Sequence, residues 1–147
     1  MRGISPLLFY TNKMRVLLRN YLRRFPVSVC DYKTLPRKVE PQITPFIFHD
    51  SVSEPSEGEK LIVGAHRTLT VEITGDCTSR EVKFYSVTQD GKKIVLEGIN
   101  SSNHMFGAST LGIDEIWEFD VAGKTAIQFE ISKINGGSLT IKGNAVT

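Results

Sequence analysis

The sequence predicts an all-β protein, an antiparallel two-sheet sandwich over residues 44–147, preceded over residues 1–43 by a basic arm and a proline-rich linker. Three observations carry that expectation. Residues 115–146 alternate apolar and polar side chains with the two-residue period of a strand. Turn residues break the alternation about every 8–12 residues, the spacing of short sandwich strands. No helical periodicity follows the arm.

In the arm, Ser5-Pro6 is a helix start and Pro26 a stop. Between them Leu7, Tyr10, Met14, Leu17, Leu18, Tyr21 and Phe25 recur at steps of three and four, while Arg15, Arg19 and Arg23 form a ladder on the other side. This is the pattern of a basic amphipathic helix. Arg15, Arg19, Arg23, Leu17, Leu18, Tyr21 and Phe25 are the membrane-contact candidates, since arginines over an apolar stripe suit an anionic bilayer surface. Packing on its own domain, or an extension without fixed structure, would account for the same residues, because isolated helices of this size are marginal in water.

Pro36, Pro41, Pro45 and Pro55, with Ser51, Ser53 and Ser56, mark a linker that contains one extended run, Pro45-Phe46-Ile47-Phe48-His49. Pro45 assigns that run to a sheet edge. Further strands follow at Lys60-Leu61-Ile62-Val63, at Leu69-Val71-Ile73, at Val82-Phe84 and, after the hairpin turn Asp90-Gly91, at Lys93-Ile94-Val95-Leu96. The polar stretch after Gly98 holds one weak strand near His104 to Ser109. Trp117-Phe119-Val121, Ile127-Phe129-Ile131 and Leu139-Ile141 then read as a meander, with Asn135-Gly136-Gly137 as a hairpin signal. The expected core is Leu69, Val71, Ile73, Val82, Phe84, Ile94, Trp117, Phe119, Ile127, Phe129, Ile131, Leu139 and Ile141.

At 147 residues the chain is about one domain and can bury roughly two thirds of its unfolded surface without a metal or disulfide. Cys30 and Cys77 form no paired motif and read as lone thiols or small buried residues. Charge is divided unevenly. Residues 1–40 hold nine Lys/Arg against two Asp/Glu, a net of +7, whereas residues 41–147 hold nine against fourteen, a net of −5. A basic arm on an acidic domain favours either fold-back or an anionic partner. Apolar runs are too short for a transmembrane helix, and Asn12 and Lys13 cut the first one short of a secretory signal, so the chain is expected to be cytoplasmic at synthesis.

Chemistry-bearing residues do not converge in sequence. Asp76 and Asp90 stand singly in turns, Glu118 and Asp120 lie on the outward face of a strand, and His49, His66 and His104 lack zinc spacing and read as surface or loop histidines. No nucleophile has a recognisable context, and no strand carries a nucleic-acid reader motif, so neither an enzyme, a cofactor nor a nucleic-acid partner is expected. Tyr85, Met105 and Phe106 are the residues freest for contact.

Ser109-Thr110-Leu111-Gly112, the run Glu115-Ile116-Trp117-Glu118-Phe119-Asp120-Val121-Ala122-Gly123 and the ending Gly136-Gly137-Ser138-Leu139-Thr140-Ile141-Lys142-Gly143 resemble a small β module of phages and prophages of Gram-positive bacteria. More narrowly, they resemble the XepA/YomS family of Bacillus prophage lytic-cassette proteins, from about Leu61 onward. The resemblance implies a C2-like sandwich, assembled as a ring of identical subunits, a pentamer, that acts at the cell envelope during host lysis. C2 domains elsewhere often bind calcium and phospholipid. The aspartate-lined loops for that are not found here, so that activity does not carry over. Tyr85 and Val87, apolar at outward strand positions, are the oligomer-contact candidates. The alternative function is a phage tail-associated adsorption module that binds cell-wall glycan.

Overall fold

The computed structural model describes residues 40–147. Their alternation resolves into eleven strands: β1 (Ile43–Val52), β2 (Lys60–Ile62), β3 (Thr68–Gly75), β4 (Ser79–Val87), β5 (Lys93–Val95), β6 (Gly98–Asn100), β7 (Phe106–Gly107), β8 (Ser109–Thr110), β9 (Glu115–Asp120), β10 (Ala126–Asn135) and β11 (Leu139–Val146). Six form one antiparallel sheet in the order β1-β11-β3-β9-β6-β7, four form the other in the order β2-β10-β4-β5, and β8 attaches to β4. The result is the expected two-sheet sandwich. Pro45 does lie in an edge strand, where its missing N–H costs no ladder bond.

Aromatic side chains from both sheets fill the space between them. Phe84 on β4 sits 5.0 Å from Trp117, 5.1 Å from Phe119 and 5.4 Å from Phe129, all edge to face. Phe48 on β1 reaches Phe129 at 4.6 Å. Edge-to-face pairs at such distances add stabilisation beyond the area they bury, because the positive ring edge meets the negative face. Twelve of the thirteen expected core residues are buried, and Cys77 is a buried free thiol.

Ile94 is the exception, half exposed. It has the inward phase, opposite Ser86, but β5 is the edge of its sheet, so the residue lies where cover runs out. The meander is a second correction. β9 and β11 belong to the six-stranded sheet and β10 to the other, so successive strands cross the sandwich. Asn135-Gly136-Gly137 does turn the chain, with φ of 66° at Gly136, but the turn is a crossover rather than a hairpin. Asp90-Gly91 is a true hairpin joining the paired strands β4 and β5. The weak strand expected near His104 to Ser109 divides into β7 and β8, which pair in different sheets.

Candidate functional site

Polar side chains of the sandwich are largely engaged in holding its loops. Glu115 Oε2 accepts hydrogen bonds from Thr110 Oγ1 at 2.6 Å and Trp117 Nε1 at 2.9 Å. Asp76 accepts from the Ser138 amide at 2.7 Å and from its hydroxyl at 3.1 Å, which holds the Asp76 carboxyl below its ordinary range. Ser132 donates to Glu81 at 2.7 Å with the same effect. Lys93 bridges Glu130 at 2.7 Å and Glu57 at 3.0 Å, and the Glu130 carboxylate, ahead of Glu57, raises the lysine above its usual value. Among the described residues no three His, Cys, Asp or Glu side chains are placed to hold a metal.

His49 corrects the reading of a surface histidine. A β-bulge after Ile47 shifts the register of β1 against β11, so Phe48 and His49 are both buried. His49 Nε2 lies 2.7 Å from the carbonyl oxygen of Phe129 on β10, and as a donor it ties one sheet to the other. Burial pushes the imidazole below its ordinary value, against the opposing pull of the Phe129 carbonyl and Glu59.

The connection from β1 to β2 closes over this contact. Gly58, with φ of 71°, passes so near that a Cβ there would collide with His49 Nε2 and the Phe129 carbonyl. Ser56 and Ile131 exchange backbone bonds of 3.0 and 2.8 Å, the Glu59 amide donates to Phe48 O at 3.0 Å, and Gln128 Nε2 donates to Gly58 O at 3.1 Å. What reads in sequence as loose linker is thus a seal along one side of the sandwich.

An open depression of about 520 Å³ is lined by Ser79, Arg80, Ser132, Lys133 and Asn135, among others. Arg80 is already committed, donating to Gly112 O at 2.8 Å and Cys77 O at 2.9 Å. The site has polar groups for hydrogen bonding and no convergent acid, base or nucleophile.

The membrane-contact candidates Arg15, Arg19, Arg23, Leu17, Leu18, Tyr21 and Phe25 lie outside the described residues. Tyr85 is half buried, with Lys93 Nζ 5.4 Å from its ring centroid. Val87 is only 4% exposed, flanked by Ala126 on β10 and Lys93 on β5. Its outward phase therefore does not make it a free contact residue. Met105 and Phe106 are open to solvent, as expected, and so are Ile43, Ile47, Ile62, Val95, Leu111 and Ile116. Those on strands interrupt polar faces, which is the signal the sequence carries for them, whereas Met105 and Leu111 lie outside the strands.

The family model for XepA matches residues 42–145. The chain belongs to the XepA family. Over 107 residues it is 45% identical to the SPbeta prophage-derived protein YomS of Bacillus subtilis strain 168, covering 73% of this chain and 90% of YomS. It is 39% identical to the phage-like element PBSX protein XepA of the same organism, covering 75% of this chain. The match spans 40% of the length of XepA. The crystal structure of YomS superposes with a TM-score of 0.71 at 44% identity, over 74% of this chain and 96% of that one. That of the PBSX exported protein XepA gives 0.73 at 38% identity, over 75% and 40%. The XepA-family region begins one residue before β1, and among the described residues no helix is long and apolar enough to cross a membrane.

Proposed function

We propose that this chain is a non-enzymatic, prophage-encoded assembly module. Its copies close into a ring, a pentamer by family resemblance, that acts at the cell envelope during host lysis. The single observation behind this reading is the distribution of side chains. Asp76, Glu81, Glu115 and the buried histidine of the sandwich are committed to loop and sheet contacts, whereas large apolar residues such as Phe106, at 72% exposure, stand in solvent. A protein built this way works by contact rather than by turnover. The chain is made in the cytoplasm and its basic arm brings the assembly to the membrane.

The test uses the full chain. Light scattering at micromolar concentration should give a multimer, and a monomer would refute the assembly reading. Sedimentation with anionic vesicles should show binding that weakens steeply with salt, because each arginine near the surface contributes about 1 kcal/mol and is screened within a Debye length. Replacement of Arg15, Arg19 and Arg23 by serine should abolish it. Equal binding by both chains would remove the arm from the mechanism.

The polar depression around Ser79 and Asn135 favours the second reading, a tail-associated adsorption module for cell-wall glycan. Purified cell walls would then retain the chain, and Asn135→Ala would release it. Retention unaltered by that substitution would count against the depression as a glycan site.

A further inference from the structure

The depression beside Ser79 and Asn135 lies where β4 begins and β10 ends, and a β-bulge shapes it. Along β10 Ile127, Phe129 and Ile131 face the core, so unbroken alternation would send Lys133 and Asn135 inward as well. The register against β4 instead slips between Ile131 and Lys133. Ile134 takes the buried place, and Lys133 and Asn135 turn out to solvent. Pro55 and Leu111 add apolar surface to the lining.

Hydrogen-bonding groups around the depression are unevenly satisfied. Acceptors are occupied. Glu81, opposite Lys133 in the register, takes the Ser132 hydroxyl at 2.7 Å, while Asp76 takes Ser138 and Glu115 takes Thr110 and Trp117. Donors are left over. Arg80 is pinned through Nε and Nη1 to the carbonyl oxygens of Leu111, Gly112 and Cys77, and its Nη2 has no partner among the described residues. Lys133 Nζ has only a long contact with Glu81, at 3.7 Å, and its side chain is 76% exposed. Asn135 Nδ2 gives one of its two hydrogens to Ser79 Oγ at 3.2 Å, and the Ser79 hydroxyl hydrogen has no acceptor among the described residues. Against these donors the lining sets the carboxamide oxygen of Asn135.

A neutral sugar offers donors and acceptors in equal measure, because every hydroxyl is both, whereas a phosphate or carboxylate group offers acceptors alone. Resting on the adsorption reading above, we infer that the depression takes an oxyanion: the phosphate or carboxylate of an anionic wall polymer with a polyol or sugar backbone. Lys133 Nζ and Arg80 Nη2 supply charge-assisted bonds, Ser79 and Asn135 supply neutral ones, and Pro55 and Leu111 meet the carbon backbone. The guanidinium is held in place before the ligand arrives, so little side-chain freedom is lost on binding. Residues 41–147 carry a net charge of −5, so long-range attraction opposes a polyanion and retention must come from these short-range bonds.

The test is sedimentation with purified cell walls of Bacillus subtilis, the organism of the relatives. It uses full-length chains in which Arg15, Arg19 and Arg23 are replaced by serine, so that the arm does not supply the attraction. Native walls should retain this chain. Hydrofluoric acid strips phosphodiester-linked polymer, and carbodiimide with borohydride reduces carboxylates; retention should be lost with one of the two, which identifies the oxyanion. Lys133→Glu should weaken retention about tenfold or more, because a charge-assisted bond is exchanged for repulsion, and Ser79→Ala should weaken it less. Both positions are exposed, and circular dichroism verifies that the variants fold. Retention that survives both treatments, or that a folded Lys133→Glu chain leaves unchanged, would overturn the oxyanion, while release by Asn135→Ala in the same series would keep the glycan reading. No retention on native walls would instead overturn the adsorption reading itself.

Discussion

Gly58→Ala should destabilise the sandwich far more than Gly91→Ala, although the two glycines have nearly the same backbone conformation. Their φ angles are 71° and 80°, and an alanine in that region costs about 1–2 kcal/mol for the contact of its Cβ with backbone. At Gly91 that is the whole effect, because nothing lies within 4 Å of the added Cβ. At Gly58 the Cβ meets His49 Nε2 and the Phe129 carbonyl, neither of which is the free end of a flexible chain. The seal must lift or the imidazole must withdraw. Withdrawal leaves buried polar groups unpaired, at about 1–3 kcal/mol. The sum is about 2–5 kcal/mol for Gly58→Ala, against 1–2 for Gly91→Ala. In a domain of this size each kcal/mol lowers Tm by roughly 4–8 °C, so the two variants should melt well apart. Thermal unfolding followed by circular dichroism at neutral pH measures this directly. Equal Tm shifts would mean that the contact between Gly58 and His49 does not hold the seal.

Phe129→Ala should cost about 3–5 kcal/mol, since the ring is fully buried among Phe48, Phe84 and Phe119, whereas Ile116→Ala on the exposed face should change urea-unfolding stability by no more than about 0.5 kcal/mol. His49, with a folded pKa depressed by burial, binds its proton less readily than in the unfolded chain, so stability should fall as pH drops below the usual histidine value toward the folded one. His49→Gln should flatten that slope, and a wild-type Tm constant from pH 7.5 to 5 would refute the linkage. Added calcium should leave Tm unchanged, because a ligand specific for the native state raises it by mass action; a rise of several degrees would reveal a site.

Sandwich architecture was legible because alternation over a buried face is a local pattern that the pleat imposes. Leu69, Val71 and Ile73 announce their face whatever lies opposite. Partner identity is not local. The turn chemistry of Asn135-Gly136-Gly137 reports that the chain reverses, and cannot report that β11 enters the gap between β1 and β3. Ile94 has the phase of a core residue and lacks only an opposing layer, which depends on the width of the sheets. His49 was misplaced because a bulge adds one residue to the count and redirects everything after it, and nothing in Phe46-Ile47-Phe48-His49 marks the extra residue. Val87 shows the converse, an outward phase that flanking strands cover. Of the exposed apolar residues, Phe106 stood out as an aromatic residue in a polar stretch. Ile43 and Ile47 did not, because their exposure follows from their place at an edge.

The position of β11 has a further consequence for how the chain is made. Among the described residues β1 pairs only with β11 and β2 only with β10, so the two earliest of these strands to leave the ribosome wait for the last two of the eleven. Until residues 126–146 are translated, each sheet lacks an interior strand, and the nascent chain carries β1 with its apolar Phe46, Phe48 and Val52 unpaired. Folding dominated by such distant partners falls in the millisecond-to-second range and exposes unpaired strands to aggregation meanwhile. A translation product stopped before Leu139 would therefore leave β1 without a partner and separate β3 from it, and should collect in the insoluble fraction.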